Sequence, residues 1–206
     1  MSMRVDYACN YEEKRNTIAY DYITFFESLG FMISLIPNNT TNIEIYLQEK
    51  YDMVVLTGGN NVDPLLYGKK KNMENVYSER DALEYKIIEY AFQRNIPILG
   101  ICKGAQILNV YFGGKIISSI SGHVNKEHIL ESSIGYLDKQ KSNSYHDQGI
   151  DLESLGSPLI PIATHKGIIE AFIHKNKKVM GVQWHPERQN RDFDHDLVLE
   201  FIEGNL

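Results

Sequence analysis

A cysteine framed by two glycines, Gly100-Ile101-Cys102-Lys103-Gly104, carries the most reactive chemistry in this 206-residue chain. It stands between an apolar run at residues 96–99 and an apolar helical run at residues 105–112. Small neighbours permit a sharp strand-to-helix bend that exposes a nucleophile, as in the serine motif G-x-S-x-G. At a helix start, unpaired backbone N–H groups and the positive end of the helix dipole favour thiolate. The same N–H groups can stabilise an oxyanion. The chemistry indicated is covalent thiolate catalysis.

Such a thiolate needs a proton partner, and His185 in Gln183-Trp184-His185-Pro186-Glu187 is the best candidate. Pro186 biases His185 toward extended backbone. Residues two apart in an extended chain project to one side, so Glu187 can reach the imidazole. A carboxylate there fixes the tautomer and supports imidazolium, the orienting role in catalytic triads. The spelling H-x-E has competitors. Zinc deaminases also need P-C-x-x-C and zinc proteases need H-E-x-x-H; the sequence contains neither, so no metal and no cofactor is expected.

These residues must be positioned by a fold. Ile18, Tyr22, Phe25, Phe26 and Leu29 follow a helical period that stops at Gly30. Residues 33–36 read as a short buried strand, 43–50 as a helix and 53–56 as another buried strand running into Gly58-Gly59. Leu83, Ile87, Ile88 and Ala91 mark an amphipathic helix ahead of the strand that leads to Cys102. Alternating apolar strands and amphipathic helices indicate an α/β fold, a flavodoxin-like, doubly wound, mostly parallel sheet covered on both faces. Beyond about residue 115, strand-like runs at 159–163, 168–173 and 179–184, separated by turns, predict a C-terminal antiparallel extension. A last helix carries Phe193, Leu197, Val198 and Phe201. Without linker or repeat, residues 1–206 read as one domain. In such sheets ligands bind beyond the strands' carboxyl ends, which puts Gly58, Gly59 and Cys102 on one edge.

Hydrophobic content of 43% and charged content of 23% fit a soluble globular protein. A net charge of −6 gives no overall pull toward nucleic acid or anionic membrane. Lys69-Lys70-Lys71 reads as a solvated loop. The N-terminus has no apolar signal-like segment, no stretch approaches a membrane span, and two cysteines make no disulfide framework. A reducing cytoplasm is the expected location. Cys9 reads as a small buried apolar residue in or near the first strand.

Six segments extend the pattern: Tyr11-Glu12-Glu13-Lys14-Arg15; Leu56-Thr57-Gly58-Gly59-Asn60-Asn61-Val62-Asp63-Pro64 with Tyr67-Gly68; Arg80-Asp81 with Glu84; the cysteine elbow with Gln106, Asn109 and Gly113-Gly114; Asn143-Ser144-Tyr145-His146-Asp147-Gln148; and Gly181-Val182-Gln183-Trp184-His185-Pro186-Glu187-Arg188. In these the chain resembles the class I glutamine amidotransferase-like superfamily, and within it the gamma-glutamyl hydrolase branch. The resemblance implies Cys102 as nucleophile, His185 as acid/base and Glu187 as its orienter, with backbone N–H groups of Gly59 and Lys103 as oxyanion hole. It also implies that Gly58, Gln106, Asn143, Ser144, Tyr145 and His146 hold a gamma-glutamyl moiety. Lys103 stands where the family commonly has Arg, His146-Asp147 where paired histidines are usual, and the segment at 122–143 is short.

The implied activity is hydrolysis of a small gamma-glutamyl amide to glutamate and an amine or amide, through a gamma-glutamyl thioester. A glutaminase component feeding ammonia to a synthase partner is the alternative. Against it, the loop reads Gly-Gly-Asn-Asn-Val-Asp-Pro where glutaminase components tend to read Gly-Gly-Pro. A non-enzymatic redox-sensing module is a third reading, disfavoured by the presence of all three triad residue types. The expected partner is a small-molecule substrate, and a homodimer is compatible with the sequence.

Overall fold

The computed structural model describes residues 1–70 and 73–206, so Lys71 of the lysine run lies outside the described residues. The first half contains β1 (Arg4–Tyr7), β2 (Lys14–Thr17), α1 (Tyr20–Ser28), α2 (Ile43–Leu47), β3 (Val54–Leu56), a 3-10 turn (Pro64–Tyr67), α3 (Ser78–Arg94), β4 (Ile98–Ile101) and α4 (Lys103–Tyr111). The second half contains β5 (Ile117–Ser118), β6 (Val124–Ile129), β7 (Glu131–Ser132), β8 (Lys141–Tyr145), β9 (Gln148–Gly149), β10 (Leu159–His165), β11 (Ile168–His174), β12 (Lys177–Val182), α5 (Pro186–Gln189) and α6 (Asp192–Glu203).

The central sheet has the order β3-β4-β12-β11-β10-β7. Strands β3, β4 and β12 run parallel; β11, β10 and β7 continue antiparallel. The α/β class and the antiparallel extension match expectation, but the sheet is mixed rather than mostly parallel. Residues 33–36 account for part of the difference. Only Ile36 reaches its neighbour, through a single bridge to Ser2, so the expected strand does not form. The Ser2 amide in turn donates to the Val55 carbonyl at 3.0 Å, tying the chain start to β3.

Period-two alternation along the buried strands feeds two cores. Val54, Leu56, Ile98 and Val179 pack with Ile87, Ile88 and Ala91 of α3 and Ile107 and Leu108 of α4. Val55, Leu99, Ile101, Met180 and Val182 face Tyr22, Phe25 and Phe26 of α1 and Leu197, Val198 and Phe201 of α6. Helices therefore cover both faces. Among the described residues no helix is long and apolar enough to cross a membrane.

Two surface expectations need correction. Cys9 is exposed, because it sits in the bend after β1 rather than in the strand's buried register. Lys69 is not simply solvated: its Nζ donates to the Ile116 carbonyl at 2.8 Å, which anchors the loop beside β5. The segment at 122–143 contains a hairpin, β6 against β8, that the sequence analysis treats only as a short loop.

Candidate active site

Parallel pairing brings the candidate triad together. Val182 of β12 is in register with Ile101 of β4, and the Cys102 amide donates to the Val182 carbonyl at 2.7 Å. Both strands end at one edge, so Cys102 follows its strand by one residue and His185 follows its own by three. The elbow is real in the backbone: Cys102 has φ 53 and ψ −106, immediately before α4. A Cβ on Gly100 would collide with the Gly104 carbonyl, and one on Gly104 with the Leu56 carbonyl. The two framing glycines thus let α4 lie directly against β3 and β4.

On one side His185 interacts electrostatically with the Cys102 thiol. On the other, its Nδ1 donates to Glu187 Oε1 at 2.6 Å. Burial alone would raise the Cys102 thiol, but the charge of His185 outweighs it and the thiol lies below its ordinary value. Burial likewise opposes imidazolium at His185; the Cys102 thiolate and Glu187 push the group up to about 9. Both directions describe one state, a thiolate–imidazolium pair, which titrates as a unit.

The glycine loop after β3 packs against this pair. The Gly58 amide donates to the Tyr22 hydroxyl at 2.8 Å, so that N–H is committed. A Cβ at Gly58 would stand 2.8 Å from His185 Cε1, so a side chain there would press on the imidazole. Gly59 has φ +77 and lines the cleft beside Lys103. Arg80, wholly buried, holds the loop's other side. Its guanidinium donates to the carbonyls of Thr57 at 2.6 Å and Gly58 at 3.1 Å, and also to that of Gly59. Arg80 pairs with Glu84 at 3.0 Å, and Lys103 Nζ pairs with Asp81 at 2.7 Å and with Glu84. The Lys103 side chain therefore serves the loop scaffold, while its backbone starts α4. The role of Arg80 and Glu84 is visible only in the structure; in the sequence their i,i+4 spacing is the available signal.

The walls of the cleft include Gln106, Tyr145 and His146 together with Arg4 and Arg188. Gln106 is buried, with Nε2 3.3 Å from the Gln148 carbonyl and 3.4 Å from Gln183 Oε1. Asn143 and Ser144 are not on the cleft wall. Asn143 clamps the backbone of His185 instead: its Oδ1 accepts from the His185 amide at 2.9 Å and its Nδ2 donates to the His185 carbonyl at 2.8 Å. The Ser144 hydroxyl donates to the His123 carbonyl. These two side chains position the site's framework. The guanidinium of Arg188 lies 4.2 Å from the Tyr145 ring centroid, and that ring meets His185 edge-on at 5.9 Å. The sequence analysis singles out neither Arg4 nor Arg188 as a site residue.

A nucleophile elbow on a mixed sheet, with an imidazole and carboxylate at the neighbouring strand end, defines a glutamine amidotransferase-like hydrolase. The chain belongs to the Peptidase C26 family, whose profile matches residues 2–132 and 121–187. The glutamine amidotransferase-like protein YvdE of Lactococcus lactis is 35% identical, over 93% of this chain and 91% of that one. A gamma-glutamyl-CDP-amidate hydrolase of Campylobacter jejuni is 34% identical, over 88% of this chain and 86% of its own. Among solved structures, a GMP synthase component from Thermoplasma acidophilum superposes with TM-score 0.69 at 22% identity, covering 89% of this chain and 86% of that chain. At that identity the likeness concerns the fold.

Proposed function

We propose that this protein hydrolyses the gamma-glutamyl amide bond of a small conjugate whose leaving group is anionic. The observation that carries the reading is the pairing of Cys102 with His185 in the wall of a cleft that Arg4 and Arg188 also line, with Glu187 buried behind the imidazole. The kinship with a gamma-glutamyl-CDP-amidate hydrolase supports both halves: the acyl group, and a phosphate-bearing amide as the group released.

In this mechanism the Cys102 thiolate attacks the gamma-carbonyl. Negative charge gathers on the carbonyl oxygen, where the N–H groups of Gly59 and Lys103 receive it. The C–N bond breaks as imidazolium at His185 delivers its proton to the departing nitrogen, leaving a gamma-glutamyl thioester on Cys102. Neutral His185 then takes a proton from water, hydroxide adds to the thioester, and glutamate leaves as the thiolate–imidazolium pair is restored. Arg4, which also pairs with Asp6 at 3.3 Å, and Arg188, which stacks on Tyr145, attract the anionic end of the substrate.

The test is a panel of gamma-glutamyl amides scored by glutamate release: a gamma-glutamyl phosphoramidate, a gamma-glutamyl nucleotide amidate, gamma-glutamyl-GABA and free glutamine. The phosphate-bearing amides should show the highest kcat/KM. A preference for glutamine that emerges only with a synthase partner would replace this reading with a glutaminase component. Equal turnover of neutral and anionic amides would remove the anionic leaving group but keep the hydrolase.

A further inference from the structure

Behind the cleft wall, the fold gathers histidines that sequence spacing scatters. Val124 of β6 pairs with Tyr145 of β8, so His123 and His146 flank the same end of that hairpin. The His146 amide donates to the His123 carbonyl at 3.2 Å, which locks the two positions together. Facing them from β11 of the central sheet is Glu170, fully buried. His123 and His146 are each 4% exposed.

The polar atoms of this group confront one another without satisfying one another. His146 Nδ1 lies 2.8 Å from the Gln148 carbonyl, which can only accept, so the ring proton sits there. In the neutral ring Nε2 is then a lone pair, and it points at Glu170 Oε2 from 3.6 Å. His123 Nδ1 stands 3.3 Å from Glu170 Oε1. His123 Nδ1, His146 Nε2 and Glu170 Oε2 are all buried and without a hydrogen bond. Burying such atoms unpaired costs roughly 1–3 kcal/mol each. Two acceptors facing each other across a gap need a positive centre between them.

We propose that His123, His146 and Glu170 bind one divalent cation of the zinc class. One ligand atom from each residue lies within 4.8 Å of those of the other two. Zinc bonds of about 2.0–2.1 Å place neighbouring tetrahedral ligands roughly 3.3 Å apart, close to the His123–Glu170 separation. Two imidazoles and a carboxylate form a borderline donor set that suits zinc, cobalt or nickel rather than magnesium or calcium. The outer contacts are those a metal site uses. The Gln148 carbonyl fixes the His146 tautomer, and His128 lies between Glu170 and the hairpin, with Nδ1 3.0 Å from Glu170 Oε1 and Nε2 3.2 Å from the Gly122 carbonyl. The ion fastens the hairpin that carries Asn143 and Tyr145 onto the central sheet. Its part is structural: of the three ligands, only His146 touches the cleft.

The competing thiols are first removed by making Cys9→Ser in the Cys102→Ala background, so that neither the exposed thiol nor the candidate active site can be mistaken for the new site. That protein, stripped with chelator, is titrated separately with Zn²⁺ and Co²⁺. Saturation at one equivalent, visible ligand-field bands of tetrahedral cobalt without thiolate charge transfer, and a zinc-dependent rise in Tm are expected. Adding His123→Ala should weaken zinc binding by more than about a hundredfold, beyond the loss typical of an outer-shell change. Glu170→Gln should do the same. Failure of the folded thiol-free protein to bind a full equivalent, or unchanged affinity after His123→Ala, overturns the site; in that case a proton, shared between His146 and Glu170, fills the gap. Should His123→Ala not fold, the cobalt spectrum of the thiol-free protein decides alone.

Discussion

Cys102 is held at φ 53, where a non-glycine residue carries backbone strain of about 1–3 kcal/mol. The strain is maintained by the β4–β12 pairing on one side and the α4 hydrogen bonds on the other. What it achieves is presentation: the sulfur stands free of its own helix and meets His185. Cys102→Ala should lower turnover by at least about 10⁴-fold while circular dichroism and Tm stay near wild type; appreciable residual hydrolysis would exclude the thioester route. The pair also sets the pH response. The reactive state exists above the lowered thiol pKa and below about 9, where His185 loses its proton. The kcat/KM profile should therefore fall on the alkaline side with an apparent pKa near 9. Glu187→Gln removes a charge that supports imidazolium, so this limb should move to lower pH. A limb unmoved by Glu187→Gln would detach the carboxylate from the histidine's chemistry.

Elements, not residues, decide how closely these groups approach. The loop after β3 is gripped by Tyr22 from α1 and Arg80 from α3, two helices on opposite faces of the sheet. Gly58→Ala would drive a methyl into His185, and loss of kcat with little change in Tm is the expected result. Arg80→Leu leaves three loop carbonyls without their donor in the interior and takes from Glu84 one of its two cationic partners, the other being Lys103; urea unfolding should register about 3–5 kcal/mol of destabilisation. The parallel half of the sheet and the cysteine elbow are legible in the sequence because buried strands are continuous apolar runs and the elbow needs glycine at fixed places. Hairpin β6–β8 is not legible, since β6 exposes five of its six residues and shows no apolar alternation. The cluster of His123, His146 and Glu170 is equally hidden, because its contacts depend on that hairpin's register. Asn143 is legible as part of a motif but not in its task, which only the His185 backbone contacts reveal.

At the scale of the whole molecule, the sheet's far face holds a titrating group of its own. Trp184 Nε1 donates to Asp194 Oδ1 at 2.8 Å, and burial pushes that carboxyl up to about 7 from 3.8. An acid whose pKa rises on folding binds its proton more tightly in the native state. It therefore costs nothing below about 4, and its penalty grows as pH climbs to 7. Asp194→Asn keeps an acceptor for Trp184 without the charge. Its stability relative to wild type should improve by about 4 kcal/mol between pH 4 and pH 8, measured by urea midpoint at both; a difference that does not grow with pH would contradict the buried acid. The register of β12 beside β4 has a consequence in time as well as space. Their partner residues are far apart along the chain, so this edge closes only after a long loop has been drawn in. During synthesis Cys102 emerges well before the histidine that lowers its pKa. The nascent chain thus carries an ordinary, sluggish thiol, and the proposed nucleophile is armed only when the last strand of the sheet is laid down.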